Sequence, residues 1–260
     1  MKKKKRIAGL LSNLLLLICI LVFCFSAYKL VGYLTEYKRG EQEYSEISSA
    51  ATMATEVVAK KETEKKEHPP KVDFGKLQEI NPDTVGWIVI EDTVINYPVV
   101  QGTDNEYYLH KTFKKKDNMG GTIFLDAENQ AGFTSDNSIL YGHNLKTGKM
   151  FGSLRYYEDK EYWKDHPYIW ILTKDKSIKY QIFAFSNINT TDSIYTLEFG
   201  SRNEFSEYLK HCIEASYYDT GIEVGPDDYI LTLSTCTSDT EDGRRVVQAK
   251  KIYEEVNDNE

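Results

Sequence analysis

Tyr229-Ile-Leu-Thr-Leu-Ser-Thr-Cys236, then Thr237-Ser-Asp-Thr-Glu-Asp-Gly243, then Arg244-Arg245-Val246-Val247, is the stretch that decides the fold. The first eight residues alternate like a strand. Ile230, Thr232, Ser234 and Cys236 point one way, and Leu231, Leu233 and Thr235 the other. The seven polar residues 237–243 read as a loop joining this strand to a second one that starts at the arginines. If the two strands form a hairpin, one arginine lies beside Cys236. Adjacent residues on a strand face opposite sides, so only one of the pair can serve the thiol.

Working outward, the chain from Asp73 onward repeats this texture: short runs rich in Val, Ile, Tyr, Phe and Thr between Gly, Asn and Asp. Candidate strands are 85–91, 94–100, 121–126, 138–143, 168–173, 179–187, 229–236 and 245–253. Eight strands in about 190 residues suggest a closed barrel or a sandwich. Pro98 places its strand at an edge or a bulge. Two helical stretches interrupt the strands. Residues 150–162 read as a broken pair of short helices. Residues 202–217 carry capping-box spacing at Ser201 and Glu204, with Phe205, Leu209, Cys212 and Ile213 on one face. Cys212 is expected in the core of that helix. No internal repeat, heptad run or Gly-rich phosphate loop is present in the sequence.

Composition narrows the classes. The 260 residues are 41% hydrophobic and 28% charged, a globular profile. The net charge of −8 argues against nucleic acid as a partner. Four cysteines are too few for a disulfide scaffold, and none has zinc-ligand spacing. No cofactor or metal is expected. The charge is uneven, with a net of +5 over residues 1–71 and −13 over 72–260. Lys2 to Arg6 form a basic cluster, and residues 7–28 follow without a charge. About 20 apolar residues cross a bilayer as a helix. A basic cytoplasmic tail (1–6), a transmembrane anchor in the lipid bilayer (7–28), a solvated stalk (29–71) and an extracellular domain (72–260) are expected, at the cell membrane. A cleaved signal is the competing reading. It is disfavoured by a bulky Phe25 in the only candidate cleavage site, Phe25-Ser26-Ala27.

Cys236 closes a strand beside a polar loop, where a nucleophile can meet substrate. His143 closes the strand Ser138-Ile-Leu-Tyr-Gly-His143 in the same way. His68, His110, His166 and His211 lie in the stalk, in polar segments and on a helix. A cysteine nucleophile needs an imidazole partner, and acyl transfer needs a donor for the developing oxyanion. One cysteine, one histidine and one arginine at strand ends meet that list.

Thr232-Leu-Ser-Thr-Cys236, the arginine eight positions later and the following Val-Val-Gln-Ala-Lys together resemble the sortase signature. Tyr141-Gly-His143-Asn144 resembles the sortase histidine motif, and Asn81-Pro-Asp-Thr-Val-Gly-Trp-Ile, Ile95-Asn-Tyr-Pro-Val-Val-Gln-Gly and Asp104-Asn-Glu-Tyr-Tyr-Leu together resemble the start of class B sortases. The resemblance covers roughly residues 72–254. It implies a mainly β fold, an eight-stranded sortase-type barrel with a few peripheral helices after an N-terminal transmembrane helix. It implies a cysteine transpeptidase of Gram-positive bacteria, with Cys236 as nucleophile, His143 as acid/base and Arg244 holding the substrate carbonyl. Arg244 is preferred to Arg245 because the family's arginine precedes by five residues the small residue that Ala249 matches. An arginine at 245, where the family carries an apolar residue, departs from the pattern. Ser234 and Tyr195 are expected substrate contacts. The implied partners are surface proteins bearing a C-terminal sorting motif, cut after Thr, and peptidoglycan or its precursor as amine acceptor. A papain-like protease is a poor match, because there the cysteine precedes the histidine. A membrane-tethered peptide- or wall-binding β-domain without turnover is the non-enzymatic alternative.

Overall fold

The structure, a computed structural model, describes residues 2–51, 70–237, 240 and 242–257, with backbone alone over residues 2–12. Met1–Glu43 and Tyr44–Glu260 form two compact units. The first is helix α1 (Lys2–Ala51) up to Glu43. Among the described residues, this is the one helix long and apolar enough to cross a membrane. Its large apolar side chains from Leu14 to Leu34 are exposed.

The second unit is built on eight strands: β1 (Thr84–Val89), β2 (Asn96–Val100), β3 (Ile123–Leu125), β4 (Asn137–Tyr141), β5 (Tyr168–Leu172), β6 (Lys176–Asn189), β7 (Ile230–Cys236) and β8 (Gly243–Val256). They close into one barrel in the order β1-β2-β3-β4-β7-β8-β6-β5. Closure removes free edges. Pro98 is tolerated where the β2–β3 ladder has not begun, since that pairing starts at Val99. The barrel fills with alternate residues of these strands, among them Ile88, Val99, Ile123, Leu140, Ile171, Ile182, Leu231, Leu233, Val247 and Ala249.

Helices cover the outside. α4 (Arg202–Ala215) starts at Ser201, whose hydroxyl accepts from the Glu204 N–H at 3.2 Å. It lays Phe205, Tyr208, Leu209 and Cys212 against Phe183, Ile230 and Val246. Gln248 donates to the Cys212 sulfur at 3.0 Å, and burial pushes this thiol up to about 12, so it is inert. The broken helix is a 3₁₀ segment, Gly152–Glu158, followed by α3 (Lys160–Asp165). α2 (Phe74–Ile80) is capped by Asp73, which accepts from Lys76 N–H.

A solvated spacer over residues 29–71 does not describe the end of α1. Ile47 and Ala51 are buried with Phe74, Leu77, Trp87 and Trp170, and Tyr44 packs against the same cluster. The segment's polar composition hides three apolar contacts at helical spacing, which is too few to stand out. The rest of the expected stalk, residues 52–69, lies outside the described residues.

Candidate active site

Strand register assembles the site. β4 and β7 run parallel, with Tyr141 opposite Ser234, and the Gly142 N–H donates to the Ser234 carbonyl at 3.2 Å. Parallel neighbours advance together, so the chain leaving β4 and the end of β7 reach the same rim. His143 comes two residues after Tyr141 and Cys236 two residues after Ser234. On the other flank, β8 runs antiparallel to β7 and sets Arg244 opposite Cys236 and Arg245 opposite Thr235. Leu231, Leu233, Val247 and Ala249 face the barrel interior. Alternation therefore turns Arg245 inward, where it is 7% exposed, and Arg244 outward with Cys236.

The outward residues line a cleft of about 410 Å³ that includes His143, Cys236, Arg244, Ser234 and Tyr195, with Asn105, Leu109 and Tyr141. The structure thus brings together all five side chains singled out in the sequence. Cys236 is exposed. The Arg244 guanidinium donates to the Gly243 carbonyl at 2.9 Å. His143 is half-buried and lies just beyond β4, which stops at Tyr141. The strand expected to reach His143 ends early because the chain turns there, with Phe151 N–H donating to the His143 carbonyl at 3.1 Å.

The histidine's protonation is set by its neighbours. Its Nε2 lies 2.8 Å from the Leu109 carbonyl oxygen. A carbonyl only accepts, so Nε2 carries the hydrogen and Nδ1 is the nitrogen free to exchange a proton. Burial holds the imidazole below its ordinary value. The Leu109 carbonyl opposes that, and His110, whose ring is 6.5 Å away, adds a further lowering. Two glycines beside it admit no side chain. A Cβ on Gly142 would overlap Ile123 Cδ1 and lie 2.9 Å from Phe151. Gly121 has φ +57°, and a Cβ there would come within 2.7 Å of the Tyr108 and Leu109 carbonyls and 3.0 Å of His143.

One wall of the cleft is aromatic and neutral. Tyr195 and Tyr141 stack with centroids 6.4 Å apart. Burial raises both phenols, so both stay uncharged at neutral pH. Tyr141 donates to Asp126 at 2.9 Å, and Asn105 donates to the same oxygen at 2.9 Å. Ser234 is 1% exposed, and its hydroxyl lies 2.8 Å from that of Tyr195. Its first role is to brace the tyrosine. Sequence reasoning gave no site role to Asn105 and Leu109, which stood in the class B resemblance four residues apart, or to Asp126, which follows β3; Tyr141 stood inside the histidine motif but read only as a strand residue. Among the described residues, no three His, Cys, Asp or Glu side chains gather to hold a metal ion.

Known proteins share this fold. The sortase domain family model matches residues 88–252. Sortase B of Listeria monocytogenes is 35% identical over 252 residues, covering 95% of this chain and 99% of that protein. The crystal structure of Bacillus anthracis sortase B superposes with a TM-score of 0.70 at 34% identity, over 84% of this chain and 99% of that one. A Staphylococcus aureus sortase B–substrate complex superposes with a TM-score of 0.66 at 33% identity, over 69% of this chain and 84% of that one. A matched family model over most of the chain, relatives of near-equal length and a shared barrel lead to one conclusion: the chain belongs to the sortase family, as a cysteine transpeptidase of class B.

Proposed function

We propose that this chain cleaves a C-terminal sorting motif of surface proteins after Thr and passes the new acyl end to an amine of a cell-wall peptide. Cys236, as thiolate, attacks the Thr carbonyl carbon. Negative charge collects on the carbonyl oxygen, and the Arg244 guanidinium, always charged and with several donors, stabilises it. The C–N bond then breaks. His143, as imidazolium, gives its Nδ1 proton to the departing amine, which leaves a thioester on Cys236. The incoming amine attacks that thioester and returns a proton to His143, and the sulfur leaves as thiolate. The Tyr195–Ser234 pair walls the cleft where the motif lies. The observation that carries this reading is the register that sets Arg244 opposite Cys236, on the rim reached by His143. The solved Staphylococcus aureus sortase B–substrate complex supports it. The basic residues Lys2 to Arg6 favour a cytoplasmic N-terminus, a single span through residues 7–28 of the cell membrane, and a catalytic domain outside.

The test uses the full chain in detergent micelles with fluorogenic peptides cut at Thr-Gly or Thr-Asn. Cleavage and a thioester adduct on Cys236, seen by mass spectrometry, are expected. Both are lost in Cys236→Ala, while His143→Ala and Arg244→Ala lose turnover by about 10³-fold or more with the fold intact. Tight binding without turnover would establish the tethered binding domain instead. Full activity in Arg244→Ala with loss in Arg245→Ala would reassign the arginine.

A further inference from the structure

The last turns of α1 do more than connect. We propose that Tyr44 is a positioning residue for His143, bracing it from two sides and making the membrane-proximal helix end a working part of the catalytic unit. This rests on the reading of His143 as the proton donor.

On the ring side, the Tyr44 hydroxyl donates to the Gly121 carbonyl at 2.6 Å and lies 3.0 Å from the Thr122 hydroxyl. Thr122 is tied to the segment before it. Its N–H donates to the Tyr108 carbonyl at 3.0 Å, and its hydroxyl to the Lys111 carbonyl at 2.7 Å. Between those anchors lies Leu109, whose carbonyl holds His143 Nε2 at 2.8 Å. Gly121 is packed against that carbonyl and the imidazole with no room for a side chain. Tyr44 therefore holds the backbone against which the imidazole rests.

On the backbone side, the Tyr44 ring meets Tyr97 edge-on at 5.7 Å. The Tyr97 hydroxyl accepts from the Met150 N–H at 3.2 Å, and the next N–H, Phe151, donates to the His143 carbonyl at 3.1 Å. One tyrosine thus touches the segment that rests against the histidine's ring and, through Tyr97, supports the one that holds its main chain. The other groups near His143 are His110, on the same loop as Leu109, and Cys236, Arg244, Tyr141 and Tyr195 across the cleft.

The test compares Tyr44→Phe, which keeps the ring and deletes the hydroxyl, with Tyr44→Ala. Both are made in the full chain in micelles, with Ser49→Ala, exposed on the same helix, as control. The readouts are kcat and KM for a cleaved peptide, thermal midpoint, and the NMR titration of the His143 imidazole. Tyr44→Phe should lower kcat about fivefold, the reach of one neutral hydrogen bond, with KM within about twofold. The His143 midpoint should move down, because the carbonyl that favours the imidazolium is less firmly held. Tyr44→Ala should lose more, and Ser49→Ala nothing. Wild-type kcat and an unmoved His143 titration in Tyr44→Phe would overturn the proposal. So would a loss no larger than the unfolded fraction accounts for. Turnover surviving in Cys236→Ala would instead sink the site reading itself.

Discussion

Gly142→Ala tests how tightly the barrel sets the histidine. The new Cβ would overlap Ile123 Cδ1 and lie 2.9 Å from two carbons of the Phe151 ring. Both neighbours are fully buried in the barrel core, so neither can swing into solvent. The backbone must yield instead. Forcing one extra carbon into such a core costs about 1–3 kcal/mol. For a domain of this size that is a thermal midpoint lowered by roughly 2–12 °C. Yielding also strains the Gly142 N–H bond to the Ser234 carbonyl, which ties the histidine's segment to the cysteine's strand. A shift of about 1 Å in His143 relative to Cys236 would reduce kcat about 10²-fold. KM should move less, since the hydroxyl pair of Tyr195 and Ser234 is made by side chains and does not use the Gly142 N–H. Calorimetry and steady-state kinetics read the two effects. Gly225→Ala, with nothing within 4 Å of the new carbon, is the matched control. A Gly142→Ala chain as stable as that control, turning over within twofold of wild type, would refute the reasoning.

Arg245→Met should raise stability. Arg245 is 7% exposed, its Nε has no partner, and Thr235 Oγ1 and Asn187 Oδ1 on the same rung are likewise unpaired. Replacing a buried charge with an apolar side chain of similar length should gain about 1–4 kcal/mol, read as a higher thermal midpoint with turnover retained. A lower midpoint would show that the charge has an undetected role in holding the fold. His143→Gln should flatten the acid side of the stability profile. Burial holds the folded imidazole below its unfolded value, so from about pH 6.5 downward the unfolded chain binds more protons and stability falls. Glutamine cannot titrate. The loss of thermal midpoint between pH 7 and pH 5 should therefore be smaller in the variant, and equal losses would contradict the assignment.

Much of this was legible in the sequence because the signals are local. Alternation in 229–236 gives both the strand and its two faces, and the structure keeps them: Leu231 and Leu233 inward, Ser234 and Cys236 toward the cleft. Beyond the β7–β8 hairpin, pairing was not legible. That β4 lies parallel to β7 depends on long-range packing across 93 residues of chain, and no single residue signals it. The polar wall was equally hidden. Asp126 gathers Tyr141 and Asn105 from two separate segments, a meeting that exists only once β3 and β4 are neighbours. Tyr44 escaped notice for a different reason: in a run of Glu, Ser and Lys, one aromatic residue reads as noise.

The arginine doublet illustrates why register has to be held so firmly. A one-residue slip of β8 along β7 would turn Arg244 into the barrel and Arg245 toward the cleft, exchanging the residue proposed to hold the oxyanion for its neighbour. What forbids the slip lies downstream. Val247 and Ala249 are fully buried inside, and Val246 is fully buried against α4. Gln248, also fully buried and facing α4, donates to Tyr208 at 3.1 Å and to the Cys212 sulfur at 3.0 Å. Slipping would thrust that amide into the apolar interior with its donors unpaired, at a cost of several kcal/mol. Cys212 and Tyr208 take no part in the chemistry. By accepting from Gln248, they help to fix which of two adjacent guanidinium groups faces Cys236.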